Sequence, residues 1–310
     1  MTDANLLSGL LDGDTFSGTT ITLHRNRARQ ALSSLAASAG ITLEEAIVGI
    51  RSVVNANMLR GIRRATVEKG IDVRDCTLLA FGGAGPLHAT DLARELGVRE
   101  VLVPPMAGMF SALGILLSDV RLDFGESLLA RWNAETQRMV DGILDRFKDR
   151  ALKSLARQGF HDRDRNLRPA LDLRYEGQSF HLPVAYNKDA DMKERFHRAF
   201  SARYGYALDK GHGVEVVAVR LSALASRQQI PLPEPGETTS SALVTTRRVL
   251  LSSGWQGTPV YQRRQLGASF HAQGPAIIED EGCTVFVSPD CEVSMAKSSC
   301  LSIEVHSDHH

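Results

Sequence analysis

Apolar residues recur at three- and four-residue steps through Ala46, Ile47, Ile50, Val53, Val54, Met58, Ile62 and Ala65, which predicts one long helix with a single apolar face. Thr42, with Glu45 three residues on, supplies a capping box at its start, and Gly70 supplies its stop. A shorter alanine- and leucine-rich helix over 26–39 precedes it and ends at Gly40. The run 76–81 is short and continuously apolar, as expected of a strand covered on both faces in a mainly parallel sheet. A helix over 86–96 closed by Gly97 follows, then a second buried strand over Glu100–Val103 ended by Pro104 and Pro105. Helix, strand, loop, helix and strand in this order predict a right-handed α/β unit. Phe110–Leu117 reads as a further short helix.

The pattern changes after Arg121. Met139, Ile143, Leu144, Phe147, Leu152 and Leu155 give helical spacing over 133–158, 170–184 and 214–224 alternate as strands do, and a helix over 191–204 lies between them. Pro231, Pro233 and Pro235 lead into a polar Glu-Thr-Thr-Ser-Ser stretch, the best linker in the chain. Short strands are expected from Arg247 onward. The expected organisation is an α/β domain over 1–122, an α+β module over 123–229, a linker over 230–246 and a β-rich C-terminal domain over 247–305.

Composition narrows the functional classes. Lys+Arg and Asp+Glu number 36 each, so no long-range field favours a nucleic acid or an anionic membrane. No window approaches the roughly 20 apolar residues of a membrane span, and the first residues lack a basic stretch leading into an apolar one, so a soluble cytoplasmic protein is expected. Cys76, Cys283, Cys291 and Cys300 have no C-x-x-C spacing and read as reduced structural thiols.

The candidate chemistry sits in Phe81-Gly82-Gly83-Ala84-Gly85-Pro86-Leu87-His88, between a predicted strand and a predicted helix. Glycines turn the backbone tightly and let a ligand approach the main chain, while Pro86 occupies a helix position whose N–H has no intrahelical partner. A helix start offers free N–H donors and about half a positive charge, suited to a phosphate, carboxylate or polarised carbonyl. Such turns also serve packing alone, and this one is neither G-x-G-x-x-G nor G-x-x-x-x-G-K-[ST]. His88 faces a ligand or a metal, or is simply a polar residue at a helix start. Asp3 is the carboxylate that would join it on a hard cation such as magnesium or manganese. Asn55 and Asn57 interrupt the apolar face of the long helix and need partners, either the neighbouring loop or a ligand. Arg60, Arg63 and Arg64 read as a solvated helix face.

The run from Ala80 through Leu116 resembles the C-terminal part of hydantoinase A/5-oxoprolinase proteins, a family with relatives in acetone and acetophenone carboxylases. Thr2-Asp3-Ala4-Asn5-Leu6, Asn55-Ala56-Asn57-Met58 and Arg174-Tyr175-Glu176-Gly177-Gln178 resemble that family's TDANL, NANM and RYxGQ segments, and Gly274-Pro275-Ala276-Ile277-Ile278-Glu279 also fits. The resemblance implies half of an actin-like ATPase fold, of Hsp70 and sugar-kinase type, with Gly82, Gly83, Ala84 and Gly85 on the adenosine side of bound ATP and His88 and Asn57 beside it. It implies ATP-driven opening of a cyclic amide, or the carboxylation of a ketone. The DxGGT-like phosphate loops of that fold are expected from a partner half or subunit, because the nearest stretch, Asp12 to Gly18, lacks adjacent glycines and reads as a surface turn. Without groups around the transferring phosphoryl, the chain alone is expected to turn over ATP poorly. A hydantoinase B-type subunit is the second implied partner, and a binding or assembly module without chemistry is the alternative.

Overall fold

The computed structural model describes residues 1–13, 21–161, 164–209, 211–227, 242–296 and 299–306. The chain is a mixed α/β fold in two compact units, one formed by Met1–Ile115 with Pro231–His310 and the other by Leu116–Ile230.

The first unit opens with α1 (Thr2–Leu7), α2 (Arg25–Ala39) and α3 (Leu43–Val67). Thr42 and Glu45 form the expected capping box, each side chain bonded to the other's backbone N–H. The edge strand β1 (Leu78–Leu79), α4 (Gly85–Leu96), β2 (Glu100–Val103) and α5 (Phe110–Leu117) follow.

The expected strand over 76–81 is reduced to two residues, and Leu79 is 45% exposed. The reason lies in sheet order. The strands β9 (His271–Gln273), β12 (Cys291–Met295) and β13 (Leu301–Val305) complete a sheet ordered β1-β2-β13-β12-β9, which leaves β1 at its margin. Only β1–β2 is parallel there, and β2–β13, β13–β12 and β12–β9 are antiparallel, so the mainly parallel sheet of the sequence reading is corrected.

A second sheet, ordered β11-β10-β8-β7, uses β7 (Leu243–Leu251), β8 (Gly254–Gln262), β10 (Ala276–Asp280) and β11 (Cys283–Val287). Ala89, Ala93 and Leu96 of α4 share one core with Val101, Ile278, Val285, Val293 and Ile303. The stretch 247–305 is therefore no separate domain, because its strands bury their apolar faces against the first hundred residues. Most of the expected linker 230–246 lies outside the described residues.

The second unit is a four-stranded antiparallel sheet, ordered β3-β6-β4-β5, with two helices. Its elements are β3 (Val120–Arg131), α6 (Ala134–Arg157), β4 (Arg165–Tyr175), β5 (Leu182–Ala185), α7 (Met192–Tyr204) and β6 (Val214–Ala225). The side chains of Asn133 and Asp191 cap the two helices. The run 170–184 is two strands rather than one, interrupted by Gly177 at φ +81°. Leu144, Phe147 and Leu155 of α6 pack with Leu171, Tyr175, Phe196, Phe200 and Leu221.

Candidate functional site

The glycine loop leaves β1 through Ala80, whose N–H donates to the Leu102 carbonyl at 2.8 Å. Gly82 has φ +83°, a region that side-chain-bearing residues rarely adopt, and its N–H donates to the Ala107 carbonyl at 2.8 Å. Ala84 is the N-cap of α4 and offers no side-chain acceptor, and Pro86 lies in the first turn. A Cβ added at Gly82 or Gly85 would meet nothing within 4 Å, so these positions face open space. Gly85 has no positive φ, and the chain itself does not demand a glycine there. Phe81 is 44% exposed and packs its ring 5.2 Å from that of Phe110, flanking the loop with an aromatic wall.

Behind the loop lies a polar network, buried at His88, Thr90 and Ser288 and half-buried at Arg51, Asn55 and Asp91. His88 is 2% exposed, and its Nδ1 is 2.6 Å from Asn55 Oδ1. Asn55 donates from Nδ2 to Asp91 Oδ2 at 3.2 Å. A carboxylate accepts and cannot donate, so the amide must turn its nitrogen to Asp91 and its oxygen to His88. That orientation makes His88 the Nδ1–H tautomer. Burial, reinforced by the Arg51 charge and only partly opposed by Asp91, lowers the His88 pKa to about 4, so the ring is neutral near pH 7.

Arg51 donates from Nε and Nη2 to Asp91 at 3.1 and 2.9 Å and from Nη2 to the Leu87 carbonyl at 2.6 Å, tying α3 to the first turns of α4. Ser288 donates to Asp91 Oδ1 at 3.0 Å and shares a 2.8 Å hydroxyl contact with Thr90. Arg51 also lies 5.2 Å over the Phe286 ring. Beside these groups is a cavity of about 720 Å³, lined among others by Asn5, Arg51, Asn55, Asp91, Ser288 and Phe286.

Of the residues singled out in the sequence, the structure joins His88 to Asn55 and places both behind the glycine loop. Asn57 is not with them. It is exposed and accepts a hydrogen bond from Arg60, because two residues along a helix turn a side chain to another face. Asp3 is exposed in the first turn of α1, His88 is buried against Asn55, and among the described residues no group of three or more His, Cys, Asp or Glu side chains could hold a metal ion. Of the stretch Asp12 to Gly18 only Asp12 and Gly13 are described; Asp12 accepts from Arg247 at 3.2 Å. Arg51, Asp91, Thr90 and Ser288 were missed. The first two carried a signal in their spacing, since Arg51 precedes Asn55 by one helical turn and Asp91 follows His88 by three residues.

The sequence matches the hydantoinase/oxoprolinase family over residues 1–124 and the hydantoinase/oxoprolinase C-terminal domain over residues 130–304. The chain belongs to this family. This hydantoinase/oxoprolinase chain is 33% identical to caprolactamase subunit alpha of Pseudomonas jessenii, over 98% of its own length and 46% of that subunit's. It is 31% identical to 5-oxoprolinase 1 of Arabidopsis thaliana, covering 26% of that protein. The crystal structure of the ATP-dependent caprolactamase from Pseudomonas jessenii superposes with a TM-score of 0.64. Nucleotide-free acetone carboxylase gives 0.87 at 22% identity, over 98% of this chain and 46% of that one, and shares the fold. The chain spans less than half the length of these relatives. Among its described residues no single helix is long and apolar enough to cross a membrane.

Proposed function

We propose that this chain contributes the adenosine side of the ATP site in a cytoplasmic, ATP-dependent amidohydrolase of hydantoinase or 5-oxoprolinase type, within half of an actin-like ATPase fold. The observation that carries this reading is the glycine loop. Gly82 and Gly85 face open space at a helix start without a side-chain cap, beside the exposed ring of Phe81. Gly82, Gly83, Ala84 and Gly85 present main chain to the nucleotide, and the amides of the first turn of α4 supply partial positive charge. His88 acts from behind as a neutral, oriented ring, pinned through Asn55 and Asp91 to Arg51, so the loop and the start of α4 are held before ligand arrives. ATP would supply the phosphoryl group that converts an amide oxygen into a leaving group, released as phosphate after water adds to the carbon. A magnesium or manganese ion would accompany its phosphates on ligands from outside this chain.

The phosphate loops of DxGGT type and a B-type subunit are assigned to partner segments. The relatives named caprolactamase subunit alpha and acetone carboxylase beta subunit are themselves subunits, which supports an assembly. The four free cysteines fit a reducing compartment.

The test is titration calorimetry of the chain with ADP, followed by substrate-dependent ATP turnover after mixing with the DxGGT-bearing half. Wild type is expected to bind ADP, and Gly85→Val to bind at least tenfold more weakly with an unchanged circular dichroism spectrum. Partner capture without any ADP binding would instead favour an assembly module. The sequence likeness to an acetone carboxylase beta subunit and an acetophenone carboxylase gamma subunit supports one second reading, a subunit of an ATP-dependent ketone carboxylase. Turnover with hydantoin, 5-oxoproline or caprolactam against turnover with acetone and bicarbonate separates the two.

A further inference from the structure

The glycines of the loop do not all serve the same neighbour. A Cβ at Gly82 or Gly85 would meet nothing, but one at Gly83 would lie 3.2 Å from the carbonyl oxygen of Gly282. That oxygen belongs to the two-residue turn Glu281-Gly282 between β10 and β11, where Asp280 pairs with Cys283 and Gly282 has φ +71°. A third glycine meets the same turn. A Cβ at Gly108 would sit 2.4 Å from Gly282 O, 2.5 Å from Gly282 C and 2.9 Å from Glu281 O. No side-chain rotation relieves a clash with backbone, so this contact exists only because Gly108 has no side chain. Gly108 lies in the turn Ala107–Met109, whose Ala107 carbonyl accepts the Gly82 N–H.

The turn itself is braced from below. Arg263, 7% exposed, donates from Nη2 to the Val103 carbonyl at 2.9 Å and to the Ser299 carbonyl at 3.0 Å, and its Nε lies 3.5 Å from Asp280 Oδ2. The end of β2, the base of the β10–β11 hairpin and the chain before β13 are thereby tied to one side chain.

We infer that the β10–β11 turn is a positioning element for the ligand loop, with Gly282, Gly108 and Gly83 forming a three-layer backbone stack that sets the height of residues 82–85. On this account Gly83 faces the hairpin and Gly85 faces the ligand. The inference rests on the nucleotide reading above for its consequence but not for its mechanics. Gly108→Ala must lift the Ala107 turn off the hairpin, and the Ala107–Gly82 hydrogen bond carries that displacement into the loop.

The experiment is hydrogen–deuterium exchange on the full chain, with and without ADP, for wild type, Gly108→Ala and Gly83→Ala, with Gly49→Ala as control because its added Cβ meets nothing within 4 Å. Without ligand, Gly108→Ala is expected to raise exchange at both 281–283 and 82–85, and Gly49→Ala at neither. With ADP, wild type is expected to gain protection at 82–85 and also at 281–283, and Gly108→Ala to bind ADP at least tenfold more weakly. Faster exchange at 107–109 and the hairpin with an unchanged glycine loop would overturn the inference. Should Gly108→Ala fail to fold, Gly83→Ala, whose contact at 3.2 Å needs only a small adjustment, carries the same two readouts. Absence of ADP binding by wild type would refute the nucleotide reading alone, and the ligand-free comparison would still decide the stack.

Discussion

His88 couples the state of the site to pH. Its pKa in the folded protein is about 4 against an ordinary 6.5, so between these values the unfolded chain binds a proton that the folded chain refuses. The neutral ring's contribution is complete above pH 6.5 and is lost as pH falls toward 4, by about 3 kcal/mol at most. Urea midpoints measured across this window are expected to fall, and His88→Gln to flatten that fall. Asp91 is a structural liability of similar size. It accepts from Arg51, Asn55 and Ser288, and Asp91→Asn would leave the largely buried guanidinium without its counter-charge, at a cost of about 3 kcal/mol in a denaturant titration. The sequence made His88 and the glycines visible because their types are unusual at a strand-to-helix junction. It hid Ser288, because its bond to Asp91 joins residues 197 positions apart.

At the level of elements, local chemistry was highly legible. The α3 start is set by Thr42 and Glu45, and Thr42→Ala is expected to cost about 1 kcal/mol, read by thermal unfolding, with no change in nucleotide affinity. The limits of β2 and α5 agree with the apolar pattern to the residue. Strand environment was less legible. An apolar run does not say how many neighbours a strand will have, and β1, read as buried, is the exposed margin of its sheet. The long strand β3 was absent from the reading although Val120, Leu122 and Phe124 alternate with Arg121 and Asp123, because Glu126 and Leu129 break that alternation further on; its partner β6 pairs with it from Val120 to Ser127 and again, past a bulge, at Ala130 and Arg131. Aromatic packing in the second unit is tightest at Phe200, which stacks among Tyr175, Phe196 and Tyr204 and is 1% exposed. Phe200→Ala is expected to destabilise that unit by about 4 kcal/mol, followed by tyrosine fluorescence during urea unfolding.

For the whole molecule, the core of Leu116–Ile230 draws its buried members only from residues inside that span. A fragment of these residues is expected to fold alone, with dispersed amide resonances and one cooperative melt. A fragment ending at Ile230 is expected to lack a folded first unit, since three of the five strands beside the glycine loop would be missing. The sequence suggested these strands but not their destination. Periodicity records which face of a strand is apolar, and it carries no record of which distant strand will cover it.

The placement of β13 has a consequence for biosynthesis. This strand, Leu301–Val305, is the middle one of its sheet and pairs directly with β2, made some two hundred residues earlier. During translation the inserted unit can mature while the first remains an open sheet, and the glycine loop gains its support only when β13 clears the ribosome. A product that stops before Leu301 therefore cannot present a supported glycine loop, so an ordered loop is also a sign that β13 has been made.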